Sequence, residues 1–409
     1  MKKMSHTDKN KLAEGAEKAS WKLALDGVCY EHICQPEGAW LLGSVLPGYG
    51  QFLPLDHYPS PEELASLGTR GIWLARESSP APKLAVMCCG QGSVWPGMGR
   101  ELYDNFPEAR AAMDRLAARS SWDVLGLMDE RDVETIGLTR WQQPYLFMLE
   151  YAQWSLYLAR GLKPDFICGH SLGELIALCL AGVYEPEVGW YIMETRSRHM
   201  ADLEEKSRRE TGMMGVYAGM DVIRELQGMW PDLYVSNYNT PEQSILSGPR
   251  DILAEARRWL RKKRIPAVIL NITLAFHHPS MRVLRDLDYR RLMSLDMHAP
   301  KTPMLSCVTA GPYPDVQSEI CRYIMDLDEN SVRWVQCVEA LWDRHGMRHF
   351  LEMGPADTLC GMVEKIRPEA LCLSSSLRGH ERDLVRKTLA RLYSLGHLQK
   401  KSLFLAKSL

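Results

Sequence analysis

With 409 residues and 46% apolar side chains, the chain has room for two or three domains, and global disorder is excluded. A formal net charge of −2 gives no general attraction to nucleic acid or to an anionic membrane. The eleven cysteines are scattered and form no Cys-x-x-Cys, which argues against a zinc ribbon or thioredoxin-like site and for reduced thiols in a cytoplasmic protein.

Met1-Lys-Lys is followed by polar residues, so no signal peptide is expected. The most apolar long window, Trp40 to Leu55, contains Pro47 and three glycines and is too short to span a bilayer. Residues 1–82 read as a proline-broken extension closed by the linker-like Ser78-Ser-Pro-Ala-Pro82. Lys83–Cys89 reads as a buried strand ended by Gly90-Gln-Gly92. Helices are predicted near 97–119 and 142–161, a short strand at Asp165–Cys168, a helix after Ser171, and a long helix from about Pro186 to Arg209.

Between 212 and 272 the order becomes β-α-β-β-α-β: strands at 213–218, 233–237, 243–246 and 267–272, helices at 221–230 and 252–263. That is the ferredoxin-like unit, expected here as a small insertion in a larger domain. A helix near 280–295, a strand at 303–308, a helix at 332–345 and a strand at 349–353 follow. The expected fold is α/β. A large α/β-hydrolase-like subdomain takes 83–211 and 273–398, the ferredoxin-like subdomain takes 212–272, and a tail covers 399–409.

The strongest chemical signal is Gly169-His-Ser-Leu-Gly173 at the predicted strand-to-helix junction. A sharp turn there lifts the Ser171 hydroxyl off the backbone, and glycines on either side remove Cβ atoms from a crowded bend. The starting helix adds its positive end at the same spot. Ser171 is therefore the candidate acyl-carrying nucleophile, and it needs a base within hydrogen-bond reach. His170 diverges from Ser171 on a tight turn. His277 and His278, in Leu274-Ala-Phe-His-His-Pro-Ser-Met281 where the inserted unit returns to the main domain, are the better candidates. Gly90-Gln-Gly-Ser93 lies at a strand's C-terminal end, but Trp95 breaks Gly-x-Gly-x-x-Gly and no Gly-Lys-Ser/Thr follows, so nucleotide binding is rejected.

Seven segments in order carry a resemblance: Cys89-Gly-Gln-Gly-Ser93, Gln142-Gln-Pro144, Gly169-His-Ser-Leu-Gly-Glu174, Arg196-Ser-Arg-His-Met200, Asn237-Tyr-Asn-Thr-Pro241, Ala275-Phe-His-His-Pro279 and Leu351-Glu-Met-Gly-Pro355. From about Lys83 to Leu398 the chain resembles malonyl-CoA:acyl carrier protein transacylases, and more closely the acyltransferase domains of polyketide synthases. The resemblance implies Ser171 as nucleophile and His277 as base, oriented by a backbone carbonyl near Asn330–Arg333 rather than by a carboxylate. It implies an oxyanion hole from the Gln91 and Leu172 N–H groups. Arg196 is then expected to hold the free carboxylate of a dicarboxylic acyl group, with Gln143, Asn239 and Gln243 lining the same pocket. Leu172 and Phe276 accompany malonyl rather than branched units in such proteins.

Cys89, Val94 and His278 depart from the residues usual at those positions, and none removes a catalytic group. Residues 1–82 resemble a linker that follows a ketosynthase, and with none in front a free-standing enzyme acting in trans is expected. No bound cofactor is expected, with malonyl-CoA or a related acyl thioester as substrate. The run Arg257-Arg-Trp-Leu-Arg-Lys-Lys-Arg264 reads by itself as a solvated helix face, while the resemblance favours Arg257, Arg258, Arg261, Lys262 and Arg264 as a docking patch for an acidic acyl carrier protein. Nucleic acid is a poor fit for one short run on a neutral chain. The expected function is ping-pong transfer of a malonyl-type unit from CoA to a carrier protein in polyketide, or hybrid polyketide–nonribosomal peptide, biosynthesis. Two alternatives stand beside it: an aminomalonyl or hydroxymalonyl unit delivered on a carrier protein, and a serine hydrolase or thioesterase with an editing role.

Overall fold

The computed structural model describes residues 82–206 and 210–398, together with three strands nearer the N-terminus: β1 (Trp21–Leu25), β2 (Val28–Glu31) and β3 (Ile72–Arg76). The C-terminal tail 399–409, and residues 1–82 apart from these strands and Pro82, lie outside the described residues. The chain divides into two units. One comprises Met1–Pro82, Tyr157–Lys163 and Arg382–Leu409, and in it β1 is the middle strand of an antiparallel sheet of order β2-β1-β3. The other comprises Lys83–Leu156 and Pro164–Glu381, and it holds every feature described below.

Strands of this second unit are, in chain order, β4 (Lys83–Cys88), β5 (Phe166–Gly169), β6 (Thr211–Val216), β7 (Tyr234–Thr240), β8 (Gln243–Pro249), β9 (Ala267–Ile269), β10 (Met304–Leu305), β11 (Met347–Met353) and β12 (Leu371–Ser374). They form two sheets. The first is parallel throughout, of order β10-β5-β4-β11-β12. Leu84 to Cys88 are all fully buried, as the unbroken apolar text of β4 requires of a strand covered on both faces.

The second sheet is antiparallel throughout, of order β7-β8-β6-β9, and is built by the chain order β-α-β-β-α-β. Its helices, Met220–Met229 and Arg250–Lys262, bury Ile223, Leu226, Leu253, Ala256 and Leu260 against Met214, Val216, Val235 and Leu246. Val332 extends this sheet by a parallel bridge to Asn237 on β7: Val332 N donates to Ser236 O and Tyr238 N donates to Val332 O.

Several elements differ from the sequence expectation. The strand expected at 303–308 is only Met304–Leu305, because Ser306 N turns back to Gly311 O and Ala310 takes a positive φ of 52°. The helix expected near 280–295 is a 3-10 turn, Pro279–Leu284, leading into an α-helix at Arg285–Leu292. Helices at Gln317–Glu329 and Thr358–Ile366 and the strand β12 were not anticipated. Among the described residues no helix is long and apolar enough to cross a membrane.

Candidate active site

β5 delivers the chain into the turn, and Ser171 sits on it with φ 56° and ψ −123°, a conformation that costs a non-glycine residue about 1–3 kcal/mol. The helix Leu172–Leu180 begins at the next residue. The two flanking glycines are fixed by contact rather than by dihedral preference. A Cβ on Gly169 would lie 2.1 Å from the Gly173 carbonyl, and one on Gly173 would lie 2.1 Å from Cys88 O at the end of β4. Backbone packs on backbone there, so neither side can yield. Glu174, buried on the same helix, accepts from Cys307 N, tying the elbow to the segment after β10.

Between the two histidines left open by the sequence, the structure brings His277 to the serine. Its Nε2 lies 2.6 Å from Ser171 Oγ, and its Nδ1 lies 2.7 Å from Leu327 O. A carbonyl only accepts, so Nδ1 carries the proton and the Nε2 lone pair faces the serine hydroxyl. His277 also has a positive φ of 56°. His278 turns away: its Nδ1 accepts from Ser280 N, and its ring packs edge-on against Tyr234. The orienting carbonyl is not in the expected stretch Asn330–Arg333 but three residues earlier. Leu327 lies in the last turn of the Gln317–Glu329 helix, where carbonyls have no partner within the helix.

Burial lowers the His277 pKa from 6.5 to about 4, opposed by the nearby Asp328 charge and the Leu327 hydrogen bond and reinforced by His170 and Arg196. The imidazole is thus neutral and ready to accept a proton across the neutral range. Acyl loading is expected to hold level from pH 7 to pH 5 and to fall away only as pH approaches about 4. Initial loading rates, with circular dichroism to follow folding, check this; a fall centred near pH 6.5 would contradict it. The same depression favours the folded state fully above 6.5, and that contribution is lost as pH falls from 6.5 through about 4.

Ser171 and His277 line a cleft of about 180 Å³, together with Gln91, Arg196, Asn239 and Phe276. Phe276 is buried among Met200, Met213, Ile245 and Leu274. Arg196, on the helix Pro186–Lys206, is held on two sides: it donates from Nη1 to Gln143 Oε1 at 2.7 Å and from Nη2 to Asp328 Oδ1 at 2.5 Å. Gln143, expected in the pocket, is fully buried and absent from the cleft lining; it donates from Nε2 to Gln91 Oε1 at 2.8 Å, so Arg196 and Gln91 are joined by one polar chain behind the cleft. Asn239 Oδ1 accepts from His170 Nε2 at 2.8 Å, beside the serine.

Gln243 is not brought to the site. It pairs with Thr240 at the β7–β8 turn and is absent from the cleft lining. Leu172, 1% exposed, is a core residue and likewise absent from the lining, so the apolar wall is formed by Phe276 with Met213, Ile245, Leu270 and Ile272. The departure at Cys89 has a partner: its N and Sγ both donate to the buried Glu150 carboxyl, whose pKa burial raises well above its ordinary value. Arg257, Arg258, Arg261, Lys262 and Arg264 are all exposed, at and beyond the C-terminal end of the Arg250–Lys262 helix. Leu327 and Asp328 are the site residues that the sequence reading missed. The spacing of Ile320, Cys321, Ile324, Met325 and Leu327 is the helical signal that would have located them. Among the described residues no cluster of His, Cys, Asp and Glu is able to hold a metal ion.

Comparison with known proteins identifies the family. Residues 86–374 match the family model of the acyl transferase domain. The polyketide biosynthesis protein ThaF of Burkholderia thailandensis is 30% identical over 298 residues, and the hybrid synthetase acdB of Aspergillus candidus is 29% identical over 314. These alignments cover 70% and 73% of this chain but only 24% and 12% of those proteins. Among solved structures, the acyltransferase domain of the second module of the salinomycin polyketide synthase aligns with TM-score 0.73 and 27% identity. It covers 83% of this chain and 82% of that one. The malonyl-CoA:acyl carrier protein transacylase of Xanthomonas oryzae gives 0.67 and 25%, covering 73% and 95%. The match spans well over half of the chain and includes both Ser171 and the histidine that faces it, and on that footing the chain belongs to the acyl transferase domain family.

Proposed function

We propose that this enzyme moves a malonyl-type acyl unit from CoA to the phosphopantetheine thiol of an acyl carrier protein in polyketide biosynthesis, acting in trans through an acyl-Ser171 intermediate. The observation that carries the reading is the Ser171–His277 hydrogen bond in a cleft that Arg196 also lines. Ser171 Oγ attacks the thioester carbonyl while His277 Nε2 takes its proton. The oxyanion is held by the N–H groups of Leu172 and Gln91, donors typically worth about 3–4 kcal/mol to such a transition state. The CoA thiol leaves with the proton from His277. In the second half-reaction His277 accepts the proton of the carrier thiol, which attacks the acyl-serine and restores the free enzyme.

The guanidinium of Arg196 is the feature that favours a carboxylated acyl group, since only a planar two-pronged donor pairs a carboxylate bidentately. We read the two sheets as an α/β-hydrolase-like subdomain over 83–211 and 273–398 with a ferredoxin-like insertion over 212–272, preceded by a linker-like extension over 1–82. The exposed cations around Arg257–Arg264 are the proposed carrier surface, which would speed encounter at low salt. Incubation with malonyl-CoA or acetyl-CoA, followed by intact-protein mass measurement and addition of a holo carrier protein, tests the reading. A malonyl adduct that passes to the carrier, more slowly as salt rises, is expected. Malonyl-CoA consumed by water with no transfer to any carrier would overturn it.

A further inference from the structure

Arg196 does not enter the cleft as an uncompensated cation. Its partner Asp328 is at 2.5 Å, and the two side chains are 11% and 6% exposed. Beside the pair lies a second, small cavity of about 30 Å³, walled by Ile192, Leu292, Leu295 and Ile324, with Arg291 also on its lining. Arg196 lines both cavities, whereas of the two Asp328 lines only this one. The ion pair therefore stands between the two spaces, Arg196 bordering both and Asp328 only the second. Asp328 also directly follows Leu327, whose carbonyl orients His277, so one helix end supports both the base and the clamp.

We propose that Asp328 is a positioning residue that sets acyl specificity through Arg196: it fixes the guanidinium at the cleft wall and offsets part of its charge. This rests on the reading of Arg196 as partner of the acyl carboxylate. A malonyl carboxylate arriving at the free edge of the guanidinium meets a site whose charge is already balanced, and the two carboxylates repel across it. An uncharged acyl group meets no such opposition. With the pair so largely buried, this weakens carboxylate binding by about tenfold or more relative to an unpaired arginine. The enzyme accordingly distinguishes malonyl from acetyl less sharply than the guanidinium alone would.

Asp328→Asn separates charge from position, because the amide oxygen still accepts from Arg196. The KM for malonyl-CoA is expected to fall about tenfold, and the malonyl-over-acetyl preference to rise by the same factor. Free malonate should raise the Tm of this variant more than that of the wild type, since the ligand then supplies the missing counter-charge. If the asparagine variant does not fold, Asp328→Gln, neutral and still carrying an amide oxygen that can accept, gives the same comparison. A merely structural role would depress loading of both acyl groups together and leave their ratio unchanged, and that result overturns the proposal. Absence of any malonyl adduct on the wild type would instead remove the functional reading beneath it.

Discussion

Ser171→Ala is expected to abolish the acyl adduct and to lower transfer by about 10⁴–10⁶-fold, the loss seen when the nucleophile of a serine–histidine pair is removed. The variant should remain folded, because the Ser171 hydroxyl's bond is to His277, while the glycine contacts that shape the elbow are backbone contacts. His277→Ala should cost nearly as much, and the double variant little more, since the two act as one unit. Intact-protein mass after incubation with malonyl-CoA reads the adduct, and a Tm within a few degrees of wild type, roughly 1 kcal/mol, shows the fold is kept. A malonyl adduct persisting on the alanine variant would place the acyl group on another residue and remove the proposed mechanism.

Arg196→Ala should produce the second large effect, and in two separable ways. Loss of a charge-assisted partner for the acyl carboxylate is expected to reduce malonyl loading by about 10²–10³-fold while acetyl loading is kept or rises. Independently, the substitution leaves Asp328 buried without its counter-ion, which costs about 3–5 kcal/mol of stability when a buried pair is broken from one side. The double variant Arg196→Ala with Asp328→Ala should recover much of that stability without recovering malonyl loading. Thermal unfolding together with loading from malonyl-CoA and acetyl-CoA distinguishes the two effects. An unchanged malonyl preference in Arg196→Ala would remove the arginine from substrate recognition.

What the sequence made legible was local. The strand before Ser171 was expected at Asp165–Cys168 and runs Phe166–Gly169, and the apolar text of β4 marked a strand buried on both faces. The elbow glycines announced themselves because their constraint is steric and short-range. Leu327 was misplaced for the opposite reason. Which carbonyl at a helix end meets a given imidazole depends on how that helix packs, and the Gln317–Glu329 helix had not been recognised. Asp328 stayed invisible because an acidic residue near a helix end reads as solvated until the fold buries it against Arg196. Gln243, expected in the pocket from the resemblance, lies instead at the end of the β7–β8 hairpin, where it pairs with Thr240.

The catalytic hydrogen bonds also bear on how the protein matures. Ser171 and His277 are 106 residues apart in the chain, and His277 and Leu327 a further 50. Contacts of such separation form late, after the entropy of closing long loops has been overcome. On the ribosome, the elbow emerges well before its base, and the base before the carbonyl that fixes its tautomer. A nascent chain therefore carries a reactive-looking serine that stays chemically silent until the Gln317–Glu329 helix has docked. Acyl loading is in this sense an assay of completed folding, since half-made enzyme has no oriented imidazole to take the Ser171 proton as the hydroxyl attacks a CoA thioester.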